Sequence, residues 1–452
     1  MSARSSVHSA AFDPEAASPV PPPLPHLWGA AVEADPPELP LRRTGLCALL
    51  AATARRHPTR IAFIDCADKA AWSGRPAMTL TYATAAEIVA RLTRGLRSWR
   101  LPPGSRIGLH LPATIEGLLA HLAVEAAGHV PCLLPVTWDE EALAAGIQAA
   151  GLGAVLSLAR LGSGRPAETL CRIAARYFGL RYLAAFGPDV PDGVLNLDEL
   201  VLNRGGGPVI ADTGGGLVTF AGADPTRPVL RPGDGLLAAV AAHLVAARVA
   251  PGERILSLAA GPDLRGLVTG LGAALVAGAS LETLPVFRSA DLAAALSQTV
   301  PTHLVVPAFL EDGLAAALRT ERRPACLRSL AFLHRAPARL AGRLLRPGLG
   351  GGPQAAPAVL DVLALDEDAV LTCARGADDL ALALADPGRL ALPPQLLGLR
   401  REEDGRFAIR GQGSRCAVLQ RGGTDFPGVA DWRSSGYRPT LFADTAIAVE
   451  AA

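Results

Sequence analysis

Residues 106–136 read RIGLHLPATIEGLLAHLAVEAAGHVPCLLPV. After a break at Pro102, Pro103 and Gly104, the residues Ile107, Leu109 and Leu111 alternate with their neighbours, the period-two pattern of a strand. Ile115, Leu118, Leu119 and Leu122 then recur at helical spacing, and 130–136 is an apolar run short enough for a buried strand. Helices alternating with short apolar strands require a mainly parallel sheet covered on both faces.

The same order extends on both sides. Ile88, Leu92, Leu96 and Trp99 predict a preceding helix. Thr137 followed by Glu140 reads as the capping box of a helix that stops at Gly151, and Ala154 to Leu158 is the next strand. A second series begins with a helix through Leu236, Val240 and Leu244. It continues with a strand from Ile255 to Leu258 and a helix through Leu264, Leu267, Val268, Leu271 and Leu275. His303 to Val306 and Leu330 to Phe332 are expected as further strands of that sheet. Beyond about Pro393 the pattern shortens to pieces such as Phe407 to Ile409 and Cys416 to Leu419, separated by glycines. The fold class is therefore α/β: two subdomains, 41–208 and 209–387, with mainly parallel sheets covered by helices, then a small β-rich part, 388–452. Residues 1–40, with acids and the run Pro21 to Pro23, read as a flexible leader rather than a signal peptide.

Composition narrows the function. Half the residues are hydrophobic and the net charge is +1, so no field gathers nucleic acid or anionic lipid. The apolar stretch from Gly266 to Leu281 is shorter than the roughly 20 residues of a membrane span and reads as a buried helix. The seven cysteines stand singly, without CxxC pairs, and read as reduced buried thiols of a cytoplasmic protein. His121 and His129 read as helix and loop residues rather than a metal pair. Lys69 is the only lysine. The glycine clusters at 205–207, 214–216 and 350–352 fit neither G-x-x-x-x-G-K-[ST] nor G-x-G-x-x-G and read as loops. No G-x-S-x-G, H-E-x-x-H or clustered Cys-His pair points to another catalyst.

Leu80-Thr81-Tyr82, Pro103-Gly104-Ser105-Arg106-Ile107, Leu111-Pro112 and Ala127-Gly128-His129-Val130-Pro131 follow one another as "LTY", "PGDRVA", "LPN" and "AGAVPVPL" do in the adenylate-forming acyl-CoA synthetase and peptide-synthetase adenylation family, and Phe186-Gly187-Pro188-Asp189 at the end of the first subdomain resembles that family too. In order and spacing the chain resembles the large N-terminal part of that family. Pro301-Thr302-His303-Leu304-Val305-Val306-Pro307 is similar to its "VTHLFLVP", and Gly405-Arg406-Phe407-Ala408-Ile409-Arg410-Gly411 to its "GELWVRG".

The resemblance implies ATP and magnesium as cofactors, an acyl or carboxylate ligand, and a site at the family's phosphate loop, "TFTSGTTGRPKG". Here that register is Thr219 to Leu230. Thr219, Gly222 and Arg227 are its candidate binding residues. The loop's glycines, hydroxyls and lysine serve to bring backbone N–H groups and positive charge to phosphate. In this chain the glycine positions hold Ala223, Thr226 and Leu230, Val229 stands at the lysine, and Asp224 and Pro225 replace two threonines.

Asp263 stands at the histidine or aromatic position of the "HxxG" element. The "YGLTE" motif falls on Leu363-Ala364-Leu365-Asp366-Glu367, leaving Glu367 as the implied magnesium ligand; it reads more readily as one of three exposed acids, with Asp366 and Asp368, at a strand end. Asp444, after Gly436-Tyr437-Arg438, is the implied ribose-binding residue if two extra residues are allowed. The family's mobile C-terminal domain, with its lysine, is not found in this sequence.

Two functions follow. One is a non-catalytic descendant with lost or much reduced carboxylate adenylation, a binding or partner module. The other is an active ligase completed by a separate lid domain, with a carrier protein as a further possible partner and Arg227 as a substitute cation.

Overall fold

The computed structural model describes residues 45–202, 216–259, 263–320, 324–340, 357–376, 379–390, 392–420, 424–443 and 445–452. The leader, the glycine clusters at 205–207 and 350–352, most of that at 214–216, and Asp444 lie outside these residues.

The molecule is α/β, with two large, mainly parallel sheets and two small antiparallel ones. In the first sheet, strand Arg106–His110 lies at the centre. Val130–Leu133 and Ala154–Leu158 flank it in parallel, followed outward on the latter side by Tyr182–Phe186. Strands on both sides of a βαβ crossover need buried faces, and here they have them: Ile107, Leu109, Leu156 and Leu158 pack in the main core, while Cys132, Val155 and Leu183 face a second cluster under helices Glu140–Ala150 and Pro166–Ala174.

The second sheet runs Ala369–Ala374, Ala358–Leu365, Leu327–Arg335, Thr302–Pro307, Arg254–Ser257, Ser280–Thr283, Ile61–Asp65, Thr79–Thr81, parallel except at its two ends.

Two connections depart from the linear order of the sequence. Ile61–Asp65 and Thr79–Thr81 fall within 41–208, yet Ile61–Asp65 pairs with Ser280–Thr283 in the second sheet. Leu217–Phe220 and Pro228–Arg231 lie beyond 208, yet they extend the first sheet through Val130–Leu133. A cut at 208 therefore does not separate the two sheets, because strand pairing is decided by edge availability rather than chain order.

Two local expectations are corrected. The cap of helix Glu140–Ala150 is Asp139, whose carboxylate accepts the Ala142 N–H at 2.9 Å, so Thr137 and Glu140 form no capping box. A carboxylate at this position also favours the positive end of the helix. Gly151 ends the helix in the left-handed conformation, as expected. The apolar stretch 266–281 is not one helix: it turns helical from Leu264, passes through a π-helical segment Leu267–Gly272, ends at Gly278, and becomes strand at Ser280. Gly272 is required there, since a Cβ would come within 2.5 Å of Val240 Cγ2 on the helix packed against it.

Long-range polar contacts tie the layers together. Helix Leu46–Arg56 starts at Gly45 without a capping side chain of its own, and the buried Glu125 supplies one, accepting from Leu46 N–H (2.8 Å) and Cys47 N–H (3.1 Å). Lys69 is fully buried between Asp65 (2.5 Å) and Glu116 (2.7 Å), and Arg75 joins Glu116 to Asp198. The only lysine is thus a structural ion pair, held where losing either partner would strand a charge. All seven cysteines are free and six are buried. Among the described residues no helix is long and apolar enough to cross a membrane, and no cluster of His, Cys, Asp or Glu is arranged to hold a metal.

Candidate functional site

Leu217–Phe220 and Pro228–Arg231 form an antiparallel hairpin, with Phe220 opposite Pro228 and Thr219 opposite Val229. The degenerate loop, 221–227, is its tip. Gly222 and Ala223 adopt positive φ (62° and 57°), so the backbone reverses through a left-handed pair that costs an alanine about 1 kcal/mol.

Five of the N–H groups of 221–227 are already engaged. Ala221 donates to Arg227 O, Asp224 to Ala221 O, and Arg227 to Asp224 O. Thr226 donates both its N–H and its hydroxyl to the Asp224 carboxylate. Gly222 N–H is taken by both Asp366 oxygens at 2.7 and 2.8 Å.

Asp366 and Glu367 lie in the turn between strands Ala358–Leu365 and Ala369–Ala374, at the end of the second sheet. Both are buried, 6% and 4% exposed, which corrects the reading of Glu367 as one of three exposed acids. Only Asp368 is partly open, and it is held by Arg433 at 3.1 Å. Arg231, buried under the hairpin, donates to the carbonyls of Glu367 and Asp368 at 2.8 Å each and fixes the turn from behind.

Between loop and turn stands Arg335, the last residue of strand Leu327–Arg335. Its guanidinium donates to Phe220 O at 3.2 Å and Asp366 Oδ1 at 2.8 Å, and lies 3.1 Å from Glu367 Oε1. Glu367 Oε2 accepts the Leu264 N–H at 3.3 Å, and the Thr219 hydroxyl donates to the same carboxyl. Burial, with the nearby Asp263 charge, pushes the Glu367 carboxyl up to about 8, against the opposing pull of Arg335 and Thr219. Burial would lower Arg335, but the charges of Glu367 and Asp366 outweigh it and hold its proton more tightly.

Of the sequence candidates, Thr219, Gly222 and Glu367 are brought to one place. Arg227 is at the exposed hairpin tip and forms no ion pair among the described residues. Asp444 lies outside the described residues. Val229 points into a small cluster with Ala221 and Cys416, and Leu363 is fully buried with Leu365, Leu371 and Phe407. Asp263 caps the helix from Leu264 through Gly266 N–H (2.8 Å) and binds Arg265.

Sequence reasoning missed Arg335 and Asp366. A signal existed for Arg335: it closely follows the expected strand Leu330 to Phe332, at the carboxyl end of a parallel strand, where sites of open α/β sheets gather.

Beside this cluster is a narrow cavity of about 70 Å³ between the two sheets. Leu109, Leu111, Leu118 and Leu133 line one side, Leu267 and Leu271 of the π-helical segment the other, with Asp263 also in its wall. His121 faces it and is neutral, its imidazole lowered to about 4 by burial alone.

Residues 50–178 match the family profile described as AMP-binding enzyme. No curated protein matches the sequence significantly. Among solved structures, the chain is similar to a benzoate CoA ligase from Burkholderia xenovorans LB400 at 17% identity and TM-score 0.67, over 90% of this chain and 79% of that one. It is similar to apo MbtA from Mycobacterium smegmatis at 20% identity and TM-score 0.64, over 91% and 76%. A third is the o-succinylbenzoate CoA synthetase MenE from Bacillus subtilis, whose structure holds its acyl-adenylate intermediate, at 14% identity and TM-score 0.65, over 89% and 77%. Residues 50–178 thus match the AMP-binding enzyme family, and over most of its length the chain carries the fold of the adenylate-forming ligases.

Proposed function

We propose that this chain is an adenylate-forming ligase-like protein whose carboxylate adenylation is lost or much reduced, and that it acts as a non-catalytic binding or partner module in the cytoplasm. The observation that carries this reading is that the loop is occupied by protein: Gly222 N–H is bound by Asp366, and Arg335 is committed to Asp366, Glu367 and Phe220 O. A triphosphate needs those donors free and the site positive. Instead it would meet Asp224, Asp366 and Asp263.

Magnesium fits no better. A hard dication takes carboxylate oxygens with room for water, whereas Glu367 is buried and has both oxygens engaged, one beside Arg335 and one by the Leu264 N–H. The apolar cavity beside the loop, at about 70 Å³, has room for a short hydrocarbon end of an acyl or carboxylate ligand, held without its activation.

The convergence of Thr219, Gly222 and Glu367 favours the second reading, an active ligase completed by a separate lid domain with Arg227 as cation. Calorimetric titration with magnesium-ATP, together with carboxylate-dependent exchange of pyrophosphate into ATP over short, long and aromatic acids, separates the two. The expected result is no micromolar binding and no exchange. Saturable micromolar binding or clear exchange by the natural protein returns it to the ligases.

A further inference from the structure

The small sheet formed by Gly398–Arg401, Phe407–Arg410 and Arg433–Ser434 has two different faces. Leu399, Phe407 and Ile409 pack inward in a core with Leu397. On the other face Arg400 and Arg410 both lie against Trp432, their guanidinium carbons 4.5 and 4.6 Å from the centre of the indole's ring. Gly398 pairs with Arg410 across the strands, and this glycine makes the stack possible: a Cβ there would stand 3.0 Å from Arg410 Cγ and 3.5 Å from Trp432 Cη2.

These residues form one wall of an open groove of about 640 Å³. Leu390, Leu392 and Pro394 belong to its apolar part. Arg401 lines it too, and among the described residues no ion pair engages Arg400, Arg401 or Arg410. Asp386, the acid in the lining, is paired with Arg389.

A guanidinium lying on an indole has lost much of its rotamer freedom while its edge N–H groups remain available. Two such groups on one ring present two forks without internal carboxylates to satisfy them. A monocarboxylate brings one charge and two oxygens, whereas a phosphate monoester, with its near-double charge and three oxygens, is the better match to two cationic groups in one groove. The groove's size is that of a small-molecule site, and its leucines and proline offer apolar area to the rest of such a ligand.

We propose that this groove binds a phosphate monoester with an apolar body. The site is separate from the loop around Gly222 and stands or falls independently of the adenylation reading.

The test is calorimetric titration of the full chain with octyl phosphate, inorganic phosphate and octanoate. Octyl phosphate is expected to saturate one site and to bind at least about tenfold more tightly than either of the others. The pair R400Q/R410Q should weaken it at least about tenfold with unchanged far-UV circular dichroism. The pair R55Q/R56Q, removing two exposed charges from another helix, should bind as the natural protein does. Gly398→Ala, which disturbs the stack without removing charge, should weaken binding severalfold. Absence of saturable binding, equal binding of octanoate, an unchanged affinity in R400Q/R410Q, or an equal loss in R55Q/R56Q would each overturn the proposal.

Discussion

Replacing Glu367 by Gln turns the site's electrostatics into a measurable stability. In the unfolded chain this carboxyl ionises near 4.5, and in the folded chain it keeps its proton to about 8. Between those values the unfolded state releases a proton that the folded state retains, so the contribution of Glu367 to stability is full below about 4.5 and is lost as pH rises through 8. One pKa unit corresponds to about 1.4 kcal/mol, so the loss between pH 5 and pH 8 is on the order of 3–4 kcal/mol. Gln has no proton to lose and keeps nearly the same volume, and Arg335 retains Asp366 at 2.8 Å.

Urea unfolding of both proteins at about pH 5 and about pH 8 gives four free energies, and their double difference isolates the group. Glu367→Gln is expected to gain on the natural protein by roughly that amount as pH rises. Parallel curves, agreeing within about 1 kcal/mol across the range, would mean that Glu367 is ionised in the folded chain and would refute this reasoning.

Two further substitutions test the site and the frame. Val229→Lys, which restores the residue type at the loop's lysine position, places an ammonium among Ala221 and Cys416; it should cost about 2–3 kcal/mol in urea unfolding and leave pyrophosphate exchange at background. Exchange above background with stability intact would refute that reading of the hairpin. Gly45→Ala puts a Cβ 1.7 Å from Glu125 Oε1 and so displaces the cap of helix Leu46–Arg56; a loss of about 2–4 kcal/mol is expected, and a loss under about 0.5 kcal/mol would show the cap to be dispensable.

The sequence by itself determined the α/β class, because the change between period two and helical period is local. Strands Arg106–His110, Ala154–Leu158 and Thr302–Pro307, and helices Ile115–Ala126 and Gly233–Ala247, lie where their apolar spacing places them. It also determined what the loop lacks, since Ala223, Thr226 and Leu230 stand at its glycine positions, Val229 at its lysine and Asp224 and Pro225 at two of its threonines whatever the fold. Tertiary structure alone decided which strands pair. Ile61–Asp65 joins the far sheet and the loop hairpin joins the near one, and neither choice leaves a periodic mark in its own segment.

Tertiary structure also decided what replaces phosphate chemistry at the loop. Asp366 is separated from Gly222 by most of the second sheet in sequence, and Arg335 comes from a different strand again. Their meeting depends on the carboxyl ends of parallel strands converging on one edge, and that convergence buries Glu367, which in sequence stands among acids that look solvated. Burial and long-range pairing are properties of the assembled sheets, so the identity of the missing groups was legible in the chain and the identity of the groups that took their place was not.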